Sequence, residues 1–373
     1  MSNIILVGPA SPLRGGIADL NEAFALSLIK NGHQVEIISF TLQYPKFLFP
    51  GKTQLRDNPT PSNKYKITSL ISSINPITWL NAANYIIKQK PDKVFIRFWM
   101  PFFGPSLGLI AKRLKSKNIL VFSIVDNAIP HEKRWGDKML TNYFLKQCNK
   151  HFTLSDKVKL DIQKLNPEAD TIALFHPIYS SFNPKPDRKK ALSELKLNDD
   201  KFLLFFGLIR SYKGLHLAIE AMSHLKIKEL KIKLLVAGEF YANQDKYESL
   251  IKDLKLENII IVNEFISQKL VPYYFSVANA VVLPYTSATQ SGVTQLAMNY
   301  ECPMIVTNVG GLPEVINHNE DGIIVEPNAN SLANGIIQYF EETENEVKMS
   351  ELMSNKKDYY GWDSFTKKIL NQS

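Results

Sequence analysis

The chain has 373 residues, 45% of them hydrophobic and 21% charged, which is too long for one typical domain and too apolar for a disordered chain. Net charge is +8 but uneven: residues 1–180 carry 23 Lys and Arg against 12 Asp and Glu, and the remainder 21 against 24. Cys148 and Cys302 are the only cysteines, so a disulfide framework and cysteine-based zinc spacing are excluded and a reducing cytoplasm is expected.

In chain order, the first segment reads as strand, loop and helix. Ile4–Val7 is a short β-branched run without the basic start of a signal peptide. Gly8 to Gly16 holds two Pro and three Gly, and Ile17–Lys30 places Ile17, Leu20, Phe24, Ala25 and Leu28 at helical spacing. Val35–Phe40, Lys93–Phe98, Ile119–Val125 and His151–Leu154 follow as strands, with helices over Leu107–Leu114, Lys138–Lys146 and Val158–Leu165. Strands alternating with helices predict a parallel, doubly wound sheet. Thr41 to Lys66 interrupts the alternation with four Pro, several aromatics and basic residues. Such a long loop reads as an Ω-loop packed by its own aromatics, or as a lid or membrane-touching loop.

Ser180 to Asp200 reads as a polar linker, after which the alternation restarts. Phe202–Phe206, Ile232–Val236, Asn258–Val262, Ala280–Leu283, Met304–Val306 and Gly322–Val325 are expected strands. Leu215–Met222, Tyr247–Leu254, Leu270–Ser276, Thr294–Tyr300 and Leu332–Phe340 are expected helices. Domains are therefore expected over 1–178 and 179–355, with a last amphipathic segment within 356–373. No apolar run reaches the roughly 18 residues of a spanning helix.

Four loops carry chemistry. Gly15, Gly16 and Ile17 open a helix after the first strand, where free N–H groups suit an anion. In Phe206-Gly207-Leu208-Ile209-Arg210-Ser211-Tyr212-Lys213-Gly214, Arg210 and Lys213 put two cations after a strand, which suits a diphosphate. Gln290, Ser291, Gly292 and Val293 form a small-polar loop and helix start, with Ser291 as the expected cap. Val309-Gly310-Gly311-Leu312-Pro313-Glu314 is a further strand-to-helix glycine loop. Basic residues are dispersed and no nucleic-acid motif is found, so an anionic membrane surface, a phosphorylated substrate or a solvated face explains the basic first half.

Taken in order, Gly15-Gly16-Ile17-Ala18, Arg210 with Lys213-Gly214, Ala297-Met298 with Pro303, and Val309–Glu314 make the chain resemble the retaining glycosyltransferases of family 4, over nearly its whole length. The resemblance implies an α/β GT-B fold, two Rossmann-like domains facing a cleft, with a C-terminal helix returning to the first. It implies hexosyl transfer from a nucleotide diphosphate sugar, with Arg210 and Lys213 gripping the diphosphate; no Asp-x-Asp pair stands in a cleft loop, so no metal or other cofactor is expected. Asp126 and His131 are jointly the catalytic candidates on the first domain. Gly15, Gly16, Gln290, Ser291, Gly292 and Val293 are expected at the donor, with Phe265 and Ile266 at its base. Arg97 and Trp99 are expected at the acceptor, a glycan or polyprenyl-diphosphate-linked saccharide at the cytoplasmic face of a membrane. Two family glutamates are replaced by Ala288 and Leu296, so Leu296 must meet the donor without accepting ribose hydrogen bonds. That loss supports an alternative, a catalytically silent partner of another transferase; an epimerase would need cleft carboxylates not found here.

Overall fold

The computed structural model describes residues 1–45, 53–56, 63–130, 134–178, 183–241, 243–288, 291–342 and 345–373. They form two compact units, Met1–Pro177 with Tyr360–Ser373, and Ile178–Tyr359.

The first unit runs β1 (Asn3–Val7), α1 (Gly16–Lys30), β2 (Gln34–Leu42), β3 (Lys66–Ser72), α2 (Pro76–Lys88), β4 (Lys93–Phe98), α3 (Gly104–Lys115), β5 (Leu120–Val125), α4 (Asp137–Leu145), β6 (Lys150–Thr153), α5 (Asp156–Leu165) and β7 (Thr171–Ala173). The strands make one parallel sheet in the order β3-β2-β1-β4-β5-β6-β7. Its central strands carry apolar runs, Ile4–Val7, Val94–Ile96 and Val121–Phe122, because helices cover both faces, and the polar residues they bury, Ser123 and Arg97, have partners. Right-handed crossovers place α1 on one face and α2 to α5 on the other, and α3 packs between α2 and α4.

The second unit runs α6 (Arg188–Leu195), β8 (Lys201–Phe206), α7 (Leu215–Ala221), α8 (Leu225–Glu229), β9 (Ile232–Ala237), α9 (Gln244–Asp253), β10 (Ile259–Val262), α10 (Val271–Val277), β11 (Ala278–Leu283), α11 (Gly292–Asn299), β12 (Met304–Thr307), β13 (Gly322–Val325), α12 (Ala329–Glu341) and α13 (Asn345–Lys356). Its sheet is also parallel, in the order β10-β9-β8-β11-β12-β13. The chain ends in α14 (Trp362–Asn371), which packs on α1 within the first unit. Trp362 and Phe365 meet Phe24 of α1 at ring-centroid distances of 6.3 and 5.7 Å.

Six of these elements depart from the sequence reading. Within 180–200, the stretch read as a linker holds α6, capped by the Asp187 side chain. Its Arg188 guanidinium donates to the carbonyls of Val277 and Asp200 at 2.6 and 2.7 Å, which fastens the segment to the second unit. β3, α2, β7, α8 and α13 were not anticipated. Parts of the Thr41–Lys66 stretch are tied down rather than loose: Gln54 bonds both backbone groups of Tyr44 at 3.0 and 2.7 Å. Arg56 pairs with Asp19 and Glu22 of α1 at 2.7 and 2.9 Å.

Candidate active site

In the second unit the strand order reverses between β8 and β11, and ligands of open α/β sheets bind where the order reverses, beyond the strand C-termini. Three loops converge there. Gly214 has φ +69°, and a Cβ on it would strike the Pro284 carbonyl oxygen at 1.8 Å. Only glycine lets the loop after β8 lie against the end of β11. The two loops are then stitched by the Thr286 N–H donating to the Tyr212 carbonyl at 2.8 Å and by the Tyr212 and Tyr285 rings, 5.9 Å apart and edge to face. Gly310, with φ +55°, would meet the Ala288 carbonyl oxygen at 1.6 Å through a Cβ, so the loop after β12 closes on the same place.

Lys213 stands at the centre. A Cβ built on Gly207 would lie 3.2 Å from Lys213 Nζ and 3.6 Å from Val293 Cγ2, so the ammonium and the first turn of α11 border the same glycine. Lys213 is 8% exposed, and its Nζ lies 5.7 Å from the Tyr285 ring centroid. No carboxylate pairs with it among the described residues. Burial, and secondarily the Arg210 charge, push its pKa down to about 8. Arg210 itself is exposed, with its guanidinium 5.5 Å from the Tyr241 ring. Ser291 caps α11, its Oγ accepting from the Val293 N–H at 3.2 Å and lying 3.1 Å from the Tyr285 hydroxyl. The Ser291 side chain thus takes the Val293 N–H and its carbonyl the Thr294 N–H at 3.2 Å, two of the four first-turn N–H groups. The sheet edge therefore presents two cations and a helix N-terminus, which together attract a polyanion such as a diphosphate.

Gly292, Val293, Arg210, Lys213 and Ser291 are thus brought together. Gln290 and His131 lie outside the described residues. Leu296 and Ala288 are 7% and 5% exposed, apolar packing where acidic side chains were absent from the motif. Phe265, 54% exposed, and Ile266, 8% exposed, follow β10, the edge strand. Gln295 went unread in the sequence: its Oε1 is buried without a hydrogen-bond partner among the described residues. Nothing in its sequence context distinguishes it from any polar helix residue. Tyr285, which floors the lysine, was equally silent.

In the first unit the order reverses between β1 and β4. Gly15 has φ +117° and starts α1 without a side-chain cap. Gly15 and Gly16 line a recess of about 160 Å³ with Arg14, Tyr44 and Gln54. Two expectations here are corrected. Arg97 is 2% exposed, and its Nε and Nη2 donate to the two Asp126 oxygens at 2.6 and 2.5 Å. Its fork is spent on Asp126, so it orders that carboxylate instead of meeting an acceptor. Trp99 is 8% exposed, packs 4.3 Å from the Phe103 ring, and donates its indole N–H to the Tyr44 hydroxyl at 2.7 Å. It is core, not an acceptor platform. Asp126 in turn is 7% exposed and held by that pair. His176, another unread residue, is buried beside them. Its burial pushes the imidazole pKa down to about 4, with Arg97 adding to the effect and Asp126 opposing it.

Residues 187–355 match the family model described as glycosyl transferases group 1. An uncharacterized glycosyltransferase of Methanocaldococcus jannaschii is 25% identical over 96% of this chain and 93% of its own length. Among solved structures, the sucrose-phosphate synthase of Thermosynechococcus elongatus superposes with a TM-score of 0.78 at 17% identity, covering 100% of this chain and 98% of its own. HepE of Anabaena, solved with UDP and glucose, gives 0.72 at 14% identity over 100% and 99%. The fold is that of GT-B glycosyltransferases, and the stretch of the second unit that matches the group 1 model, residues 187–355, holds the loops around Lys213.

Proposed function

We propose that this chain, with its group 1 glycosyltransferase domain at residues 187–355, moves a hexosyl unit from a nucleotide diphosphate sugar, with retention, onto a glycan or lipid-linked acceptor in surface polysaccharide assembly. The observation that supports the donor half is Lys213, a buried cation with no carboxylate partner among the described residues, which borders Gly207 together with the first turn of α11. An unpaired buried charge is costly, and an anionic ligand explains why it is kept. HepE was solved with UDP and glucose, which fits a nucleoside diphosphate as that anion.

The chemistry follows from charge. When the bond between the sugar's anomeric carbon and the diphosphate oxygen breaks, the leaving diphosphate gains negative charge. Lys213, Arg210 and the positive end of α11, its Gly292 N–H first, are fixed where that charge grows, and one such donor contributes on the order of 10²–10³ in rate. The acceptor oxygen bonds to the anomeric carbon, and its proton leaves with the diphosphate or to water. The cations on hand meet the charge, so the reading requires no metal. The acceptor is assigned to the basic first unit at the cytoplasmic face of a membrane, with Asp126 ordered by Arg97 as its polar group.

Leu296 and Ala288 in place of glutamates favour the second reading, a silent partner subunit. Lys213 weighs against it, because a scaffold gains nothing from a buried ammonium that meets no carboxylate among the described residues. Thermal shift with UDP, GDP, ADP and their sugars, with and without magnesium, separates the two. A ligand that binds only the folded state raises its melting temperature. A shift with one nucleotide, unchanged by magnesium and lost in Lys213→Ala and Arg210→Ala, supports the transferase. No shift with any of them returns the silent partner.

A further inference from the structure

Among the described residues no helix is long and apolar enough to cross a membrane, yet large apolar side chains stand in solvent on one part of the first unit. Ile77 and Leu80, in the first turns of α2, are 68% and 43% exposed. Trp135 and Met139, at the start of α4, are 100% and 65% exposed. Both helices follow strands of the parallel sheet, so both begin at its C-terminal edge, and α3 lies between them. Helices pack 8–10 Å apart, so the two apolar pairs stand about 20 Å from each other. Arg134 and Lys138 flank Trp135 and are exposed; among the described residues neither side chain is in an ion pair, and the neighbouring Asp137 carboxylate accepts from the Arg134 backbone N–H at 2.7 Å. The first unit as a whole carries 25 basic and 13 acidic residues, a net charge of +12.

We propose that the starts of α2 and α4 form a docking surface for an anionic lipid bilayer, with Trp135 and Met139 entering the interface and Arg134 and Lys138 meeting lipid phosphates. The inference rests on the membrane-side acceptor proposed above and adds the surface that would bring the enzyme to it. Tryptophan favours the membrane–water interface, where its ring is buried and its N–H stays wet. Basic side chains beside inserted apolar ones are the pattern of peripheral membrane binding. Two apolar pairs about 20 Å apart suit a flat partner better than a compact ligand. A second copy of this chain is disfavoured, since a face on a unit of charge +12 would repel itself. The recess of about 350 Å³ beside Trp135 is lined by Ile129, Pro130 and Met139 together with Arg134, Lys138 and one carboxylate, Asp137, a mixture that suits an acyl chain and its phosphate.

Flotation of the whole chain with vesicles tests this. Vesicles of phosphatidylglycerol and phosphatidylcholine should carry the protein, pure phosphatidylcholine should not, and salt should release it. Trp135→Ala with Met139→Ser, and separately Ile77→Ser with Leu80→Ser, should each weaken flotation. Arg134→Ala and Lys138→Ala should each lower partition about fivefold. These side chains are exposed, and a circular-dichroism melt confirms that each variant folds. Wild-type flotation in all the variants, or none on anionic vesicles, overturns the proposal. So does light scattering that shows a dimer broken by Trp135→Ala, or an oligosaccharide titration without vesicles that Trp135→Ala weakens. Flotation needs neither donor nor turnover, so its failure leaves nucleotide binding at Lys213 standing, and loss of nucleotide binding leaves the surface standing.

Discussion

Lys213 destabilises the unliganded protein. Its folded-state pKa of about 8 lies below the ordinary lysine value of 10.5. Between those values the unfolded chain keeps a proton that the folded chain has released, so stability rises with pH across that window. Below about pH 8 the cost is fully present. Lys213→Met should therefore raise the stability of the free protein at pH 7 by about 1–3 kcal/mol, read by urea unfolding, while abolishing nucleotide binding. The wild-type affinity for a nucleoside diphosphate should fall as pH rises through about 8, because the diphosphate selects the ammonium form. In calorimetry across pH 7 to 9.5, a flat wild-type affinity would mean that the anion is held without this lysine.

At the scale of elements, the sequence made most strands and helices visible, because a helix-covered parallel sheet writes unbroken apolar runs such as Phe202–Phe206 and Val94–Ile96. β3, with Lys66, Thr68, Ser69 and Ser72 among its seven residues, is a polar edge strand and lacks that signal. α6 hides among charges because few of its residues are buried, Ala191 and Leu192. The glycine loops of the site were legible because glycine is required where backbones touch, as at Gly214 and Gly310. The fates of Arg97 and Trp99 were not, since both lie on a run that reads equally well as surface or core. Only the tertiary partners, Asp126 and Tyr44, decide it. α14 was legible as an amphipathic helix, and its packing makes a prediction. Phe365 is 1% exposed and touches Phe24, Phe175 and Trp362. Phe365→Ala should cost about 3–5 kcal/mol and should show as faster hydrogen exchange in α1 rather than in the second unit. Equal loosening of both units would mean that α14 supports more than its own sheet.

At the scale of the molecule, the two units should differ in their response to acid. Among the described residues the buried histidines are His151 and His176, and both lie in the first unit. His151 Nδ1 sits 2.7 Å from the Ser123 hydroxyl between β5 and β6. Burial pushes the pKa of each imidazole from 6.5 down to about 4. Between those values the unfolded chain takes up protons that the folded chain refuses, so stability falls as pH falls from 6.5 toward 4 and is fully present above 6.5. At pH 5 each imidazole should cost on the order of 1–2 kcal/mol. The same unit also carries the excess positive charge, which grows as carboxylates protonate and adds self-repulsion. Hydrogen exchange followed by mass spectrometry at pH 7 and pH 5, corrected for intrinsic rates, should show protection lost first in β5, β6 and their neighbours, with the second unit retained. His151→Asn should remove part of that acid sensitivity at the expense of stability at pH 7. Earlier loss in the second unit would locate the acid-sensitive groups elsewhere, in the carboxylates of ion pairs such as Lys356 with Asp321.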